Sequence, residues 1–213
     1  LQNSGGVGGP RYLSLPDGRC RLYCFTSEFG PGGVESGQRI STSVISAITS
    51  DGLNFEFESG YRLRDRQAEY DTAGISAAEV IPPHSSDDRW TMYYSAWQDV
   101  PSGTKVPLHP SQDVDAVNSG KSADFAAASI DSDMSGYRSR IYAAFSMDGL
   151  TWERTACVID GAGYGAPSLD AVHAEDMSLV QLDDGGFRMY YAACDTHGSW
   201  RILSAVTRKQ GEQ

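Results

Sequence analysis

The chain has 213 residues with 40% hydrophobic and 21% charged side chains, ordinary globular composition that excludes a disordered protein. A formal net charge of −11 argues against nucleic acid and against an anionic membrane surface, because both need clustered Lys and Arg. No apolar run approaches the roughly 20 residues of a membrane-spanning helix, and residues 1–6 lack the basic and apolar regions of a signal peptide. A soluble protein is expected, of unassigned compartment.

In chain order, the first hairpin places Arg11 to Leu15 before the turn Pro16-Asp17-Gly18, and Arg19-Cys20-Arg21-Leu22-Tyr23-Cys24 after it. Alternating apolar and polar residues rich in aromatics mark these as β-strands. Val44 to Thr49 and then Asp51-Gly52-Leu53-Asn54-Phe55-Glu56 read as a third strand, a turn and a fourth strand. The pattern then repeats. Ala78 to Ile81 precedes Arg89-Trp90-Thr91-Met92-Tyr93-Tyr94, and Ile141 to Glu153 copies Val44 to Glu56 at a constant offset of 97 residues. A third hairpin pairs Met177 to Leu182 with Gly186-Phe187-Arg188-Met189-Tyr190-Tyr191, and Ile202 to Thr207 begins another third strand. Eleven strands arranged four, four and three predict an all-β fold, a β-propeller of four-stranded antiparallel blades with about three blades in this chain. The blades fall at about residues 9–60, 73–160 and 173–209 of a single domain or arc.

In such a meander, alternate connections lie on opposite faces of the disc. Turns from first to second and from third to fourth strands are short, whereas the connections Glu28–Arg39, Ser59–Thr72, Gln98–Arg138 and Asp160–Val172 are long. Long loops in a compact domain usually carry function, so one face is expected to be the working face. The innermost strands begin there. The repeat alignment makes Glu79 equivalent to Asp176 and Gly9, and Ala78 to Glu175 and Gly8. Unpaired charge is costly in a core, so Glu79, Glu175 and Asp176 are the candidate catalytic carboxylates. Clustered carboxyls suit general acid and base work, and also suit ties between blades through backbone amides or an Arg.

The unit of apolar strand, Asp-Gly turn and Arg-Met-Tyr-Tyr strand, clearest from Glu175-Asp176-Met177-Ser178 through Asp184-Gly185 to Arg188-Met189-Tyr190-Tyr191, resembles the five-bladed propeller glycosidases. These are the family 43 and family 32 glycoside hydrolases and their uncharacterised relatives. Ser146-Met147-Asp148-Gly149-Leu150-Thr151-Trp152-Glu153 reinforces the likeness. The resemblance implies an acid, a base and a supporting carboxylate at the starts of different inner strands. Carried over by position, Glu79 is the supporting or basic group, Glu175 the acid and Asp176 its partner, while Gly9 stands where another carboxylate is expected. The implied activity is hydrolysis of a glycosidic bond on a carbohydrate ligand, by water in an inverting scheme. The alternative is a non-catalytic glycan-binding or scaffolding propeller.

Asp71 and Asp170 lie just before inner strands, and His173 precedes the acidic pair, so all three are candidates for sugar hydroxyls. Tyr70, Trp97 and Tyr164 are candidate aromatic platforms, with Tyr61 and Trp200 also in the long connections. No metal or other cofactor is expected; Asp113–Gly120 lacks the spacing of a calcium loop. Cys20, Cys24, Cys157 and Cys194 are expected as buried thiols, with Cys20 and Cys24 too far apart along one strand to bridge. Three blades form an open arc, which a longer chain, strands hidden in residues 98–138 or a second copy could complete; of these, a homodimer completing a six-blade ring is predicted.

Overall fold

The computed structural model describes residues 4–28, 41–83, 88–100, 137–161 and 166–207. They form twelve strands in three antiparallel sheets, an arc of three propeller blades, with one 3₁₀ turn at Glu69–Asp71. The first blade holds β1 (Ser4–Ser14), β2 (Cys20–Glu28), β3 (Ser41–Thr49), β4 (Glu56–Phe57) and β5 (Leu63–Arg64). Its outer edge departs from the single fourth strand expected: β4 and β5 are two short pairings with opposite ends of β3. The second blade is β6 (Gly74–Ile81), β7 (Trp90–Asp99), β8 (Tyr137–Ser146) and β9 (Glu153–Ile159), and the third is β10 (His173–Gln181), β11 (Phe187–Cys194) and β12 (Trp200–Val206). Among the described residues no helix is long and apolar enough to cross a membrane.

The period-2 pattern assigns each strand face to one neighbouring blade. Trp90, Met92, Tyr94 and Ala96 of β7 pack towards the first blade with Tyr23, Val44 and Ile75. Tyr93 points the other way, against Ile141, Met177, Met189 and Tyr191. Burying each such large side chain stabilises by roughly 1.5–3 kcal/mol, so the two inter-blade layers hold the arc together. The connection from second to third strand in the third blade is short. β11 and β12 are joined by Asp195–Ser199, because the Asp195 carboxylate accepts the N–H groups of His197 (2.9 Å) and Ser199 (3.1 Å) and Gly198 turns at φ 78°. Cysteines also depart in part from expectation: all four are unbridged, but only Cys24 and Cys194 are buried, Cys157 being exposed at the outer strand. The segment 101–136 and the Asp113–Gly120 sequence lie outside the described residues.

The two copies of the Asp-Gly turn have the same construction. Asp148 Oδ1 accepts from Thr151 N–H (2.7 Å), Leu150 N–H (2.8 Å) and Ser146 Oγ (2.9 Å), which holds its carboxyl down at about 2. Asp51 is lowered in the same way, by Asn54 first and then Leu53. A carboxyl with a lowered folded-state pKa adds stability above its unfolded value, near 3.8 here, and loses it as pH falls through the folded value. Asp148→Asn is therefore expected to be less stable than wild type at pH 6. That difference should vanish between pH 4 and pH 2. Thermal melts across this range read it, and a gap constant with pH would show that charge plays no part in the turn.

Candidate functional site

All three inner strands are bulged at one height, with register shifts at Gly8/Arg11, Ser76/Ala78 and Glu175/Ser178. A bulge bends its strand and increases the twist, and here it brings the three strands together at the inner edge of the arc. The register corrects the repeat alignment. Arg11 faces Tyr23, Glu79 faces Tyr93 and Ser178 faces Tyr190, so these three are equivalent. Fourteen positions separate Glu79 from Tyr93 but twelve separate each other pair, because the turn after β6 is longer by two. Glu79 is thus not the counterpart of Asp176. Ala77 holds that place in β6, and Gly9 holds it in β1.

The equivalent residues meet. Arg11 Nε lies 2.8 Å from Glu79 Oε1, and Arg11 Nη2 donates to Met177 O at 3.2 Å. The Glu79 carboxylate also accepts from the Ser178 hydroxyl and the Leu179 N–H. Burial raises its pKa, against the opposing pull of Arg11 and these donors. One carboxylate thereby ties three blades.

Glu175 and Asp176 are adjacent on β10 and diverge. Glu175 is buried, its Oε2 3.9 Å from His173 Nδ1. That ring nitrogen is also 3.0 Å from Ser139 Oγ, and the imidazole stacks on Trp200 at 5.2 Å and 14°. Asp176 is exposed, its N–H donating to Ser95 Oγ at 3.0 Å, and its φ of 49° puts a non-glycine residue in the left-handed region. Such strain costs about 1–2 kcal/mol and persists only where the surroundings impose it. Trp97 stacks on Tyr137 at 5.4 Å and 19°, directly across the ladder from Ser139. A row of Trp97, Ser139, His173 and Trp200 therefore crosses from the second blade to the third on the loop-rich face.

Trp97 and Trp200 are strand residues rather than loop residues. Ser139 and Tyr137 escaped the sequence reading because they follow a long segment without pattern. A signal existed: the 97-residue offset maps Ser139 onto Thr42, and Thr42 Oγ1 also reaches an inner strand, accepting Ile75 N–H at 2.6 Å.

Two of the expected sugar contacts are engaged by other residues of the fold. Asp71 is fully buried, ion-paired to Arg154 and accepting the N–H groups of Ala68 (2.9 Å) and Gln67 (3.1 Å). A sugar hydroxyl would have to displace Arg154 to reach it. Tyr70 lies between the first two blades, stacked on Tyr142 at 3.8 Å with its hydroxyl 3.3 Å from that of Tyr94. Asp170, equivalent to Asp71, is half-buried and accepts from Tyr191 OH at 2.9 Å. Tyr164 lies outside the described residues. Among the described residues no three His, Cys, Asp or Glu side chains gather to hold a metal ion.

No protein-family model matches the sequence, and no curated protein sequence matches it either. Solved structures do resemble the fold. A family 117 glycoside hydrolase of the marine bacterium Zobellia galactanivorans superposes with a TM-score of 0.60 at 12% identity, over 94% of this chain and 52% of the other. A family 32 β-fructofuranosidase of Bombyx mori gives 0.54 at 12% identity, over 92% and 33%. An N-acetylgalactosamine deacetylase of F. plautii, solved with blood group B trisaccharide, gives 0.50 at 13% identity, over 94% and 50%. The chain spans about half the length of several of the structures it matches. At these identities the likeness is one of fold: this chain has the blade architecture of propellers that occur in glycoside hydrolases.

Proposed function

We propose that the protein is a carbohydrate-active propeller that hydrolyses a glycosidic bond on its loop-rich face, with Asp176 as the carboxylate presented to substrate. The observation that carries this reading is the exposed Asp176 held at φ 49° on an inner-strand bulge. Strained residues of this kind cluster at working sites. Glu175 and His173 support the strand from beneath, and the Trp97–Trp200 row offers ring surface to a sugar. Glu79, held by Arg11 and Ser178, fits the supporting role better than the basic one. Opposed carboxylates stand about 5–9.5 Å apart across a scissile bond. Glu175 and Asp176 diverge from one strand, so in this proposal the acid that faces Asp176 comes from across the axis.

Asp176→Gly separates function from fold. Glycine is at ease at positive φ, so this variant should melt at or above the wild-type temperature while losing at least about 10²-fold in turnover of a responsive aryl glycoside or polysaccharide. Turnover unchanged from wild type would remove Asp176 from the chemistry. A glycan-binding role without catalysis is favoured by Gly9, which fills in the first blade the place of Asp176 in the third. Retardation in polysaccharide gels with no turnover on the whole panel would select it. The homodimer rests on the third blade's outer face, where Val180 is 50% and Ile202 70% exposed. A well-folded mass near 23 kDa by light scattering at dilute concentration would overturn it.

A further inference from the structure

The bulge that carries Asp176 is held by contacts from the two preceding blades. Asp176 and Met177 fall in the register gap of β10 and β11, between Glu175 and Ser178. Four successive residues there find partners outside their own sheet. Asp176 N–H donates to Ser95 Oγ at 3.0 Å and Arg11 Nη2 donates to Met177 O at 3.2 Å, while the Glu79 carboxylate accepts from the Ser178 hydroxyl and the Leu179 N–H. Ser95 lies in β7 and is fully buried, so no solvent competes for its hydroxyl. The other blades lack this hydroxyl. Phe25 of β2 and Ala192 of β11 hold the place of Ser95, since they face Gly8 and Glu175 as Ser95 faces Ser76. A Cβ on Gly8 would stand 2.8 Å from the Phe25 ring, so apolar surface fills that place in the first blade. The left-handed conformation of Asp176 recurs at its first-blade counterpart Gly9 (φ 56°), where glycine adopts it without strain. Of the two described blade interfaces, the one whose bulge carries a carboxylate is thus the one that has the hydroxyl.

We infer that Ser95 is a positioning residue for Asp176: its hydroxyl fixes the Glu175–Asp176 peptide, and so the direction in which the carboxylate leaves the bulge. The inference rests on the reading of Asp176 as the carboxylate presented to substrate. In an antiparallel ladder the partner strand orients each peptide, and a bulge gives up that restraint at its unpaired residue. Ser95 restores it at the amide, and Arg11 at the next carbonyl. Ser178 and Leu179 are anchored on Glu79, so a turn of the peptide before Asp176 is the movement that Ser95 opposes. A left-handed φ in a non-glycine residue persists only while its surroundings impose it. Without the Ser95 hydroxyl the peptide relaxes and swings the Asp176 Cβ and carboxylate away. Misplacing a reacting group by about 1 Å can cost about 10²-fold in rate. Ser95 itself touches no substrate and acts through Asp176.

Ser95→Ala tests it, removing the acceptor without adding bulk. Hydrogen exchange at the Asp176 amide, followed by NMR, should quicken by at least about tenfold in this variant. On a glycoside or polysaccharide that the wild type turns over, kcat should fall by at least about tenfold with KM within about twofold. Ser46→Ala is the control, another fully buried serine, whose hydroxyl donates to Glu58 in the first blade. It should cost stability and leave both constants unaltered. Added to Asp176→Gly, Ser95→Ala should bring no further loss of turnover, because the group it positions is gone. An independent structural role would multiply the two losses instead. Unchanged exchange at Asp176, a wild-type kcat in Ser95→Ala, or multiplied losses in the double variant would each overturn this inference alone. Turnover unchanged in Asp176→Gly, or absent from the wild type, would overturn the reading of Asp176 and this inference with it.

Discussion

Gly149→Ala is expected to destabilise the protein by roughly 3–5 kcal/mol, while Gly52→Ala at the matching turn costs only about 1 kcal/mol. Both glycines have positive φ, 71° and 75°, so both substitutions carry the left-handed penalty. Only Gly149 is also enclosed. A Cβ there would stand 2.6 Å from Arg21 Nη1, 2.9 Å from Tyr23 OH and 3.2 Å from Trp90, whereas nothing lies within 4 Å of the same atom at Gly52. Arg21 has a flexible end, but Tyr23 and Trp90 are core rings that cannot retreat without opening the layer between the first two blades. The Tyr23 hydroxyl also donates to Gly149 O at 2.7 Å, a bond that the retreat would break. With about 2–4 °C lost per kcal/mol in a chain of this size, Gly149→Ala should melt about 4–16 °C below Gly52→Ala. Equal melting temperatures would show that the turn does not dock into the first blade.

The second large effect is expected at the ion pair between Asp71 and Arg154. Arg154→Met leaves Asp71 fully buried with its charge unmatched, a change that costs roughly 3–5 kcal/mol. It also removes the donor to Arg64 O and the cation that lies 5.7 Å from the Tyr94 ring. Asp71→Asn keeps an acceptor for the Gln67 and Ala68 N–H groups, so it should cost less. The double variant should be more stable than the sum of the two losses implies, because the unmatched charge is gone. Urea unfolding of the four proteins measures this coupling. Losses that simply add, or an Arg154→Met within 1 kcal/mol of wild type, would show that the pair does not join the linking loop to β9.

The blade architecture was legible in the sequence because its causes are local. Alternation in Trp90–Tyr94 and Phe187–Tyr191 fixes strands and buried faces, Asp148-Gly149 fixes a turn, and the 97-residue offset fixes the repeat. The site was less legible because its geometry depends on register. Two extra positions in the turn after β6 move Glu79 from the place of Asp176 to that of Ser178, and no local pattern reports a shift created by pairing. Charge likewise reads the same in a sequence whether or not it is matched. Asp71 and Asp176 both precede or enter an inner strand, yet one is buried under Arg154 and the other is exposed on a strained bulge. What differs is what arrives from another blade: Arg154 pairs with the Asp71 carboxylate, whereas Ser95 Oγ accepts the Asp176 backbone N–H. Sequence alone determined the strands, their faces and the tight turns, since those follow from residue type and period. Only the tertiary structure decided which carboxylates serve the fold and which face solvent, because desolvation and ion pairing arise between segments distant in the chain.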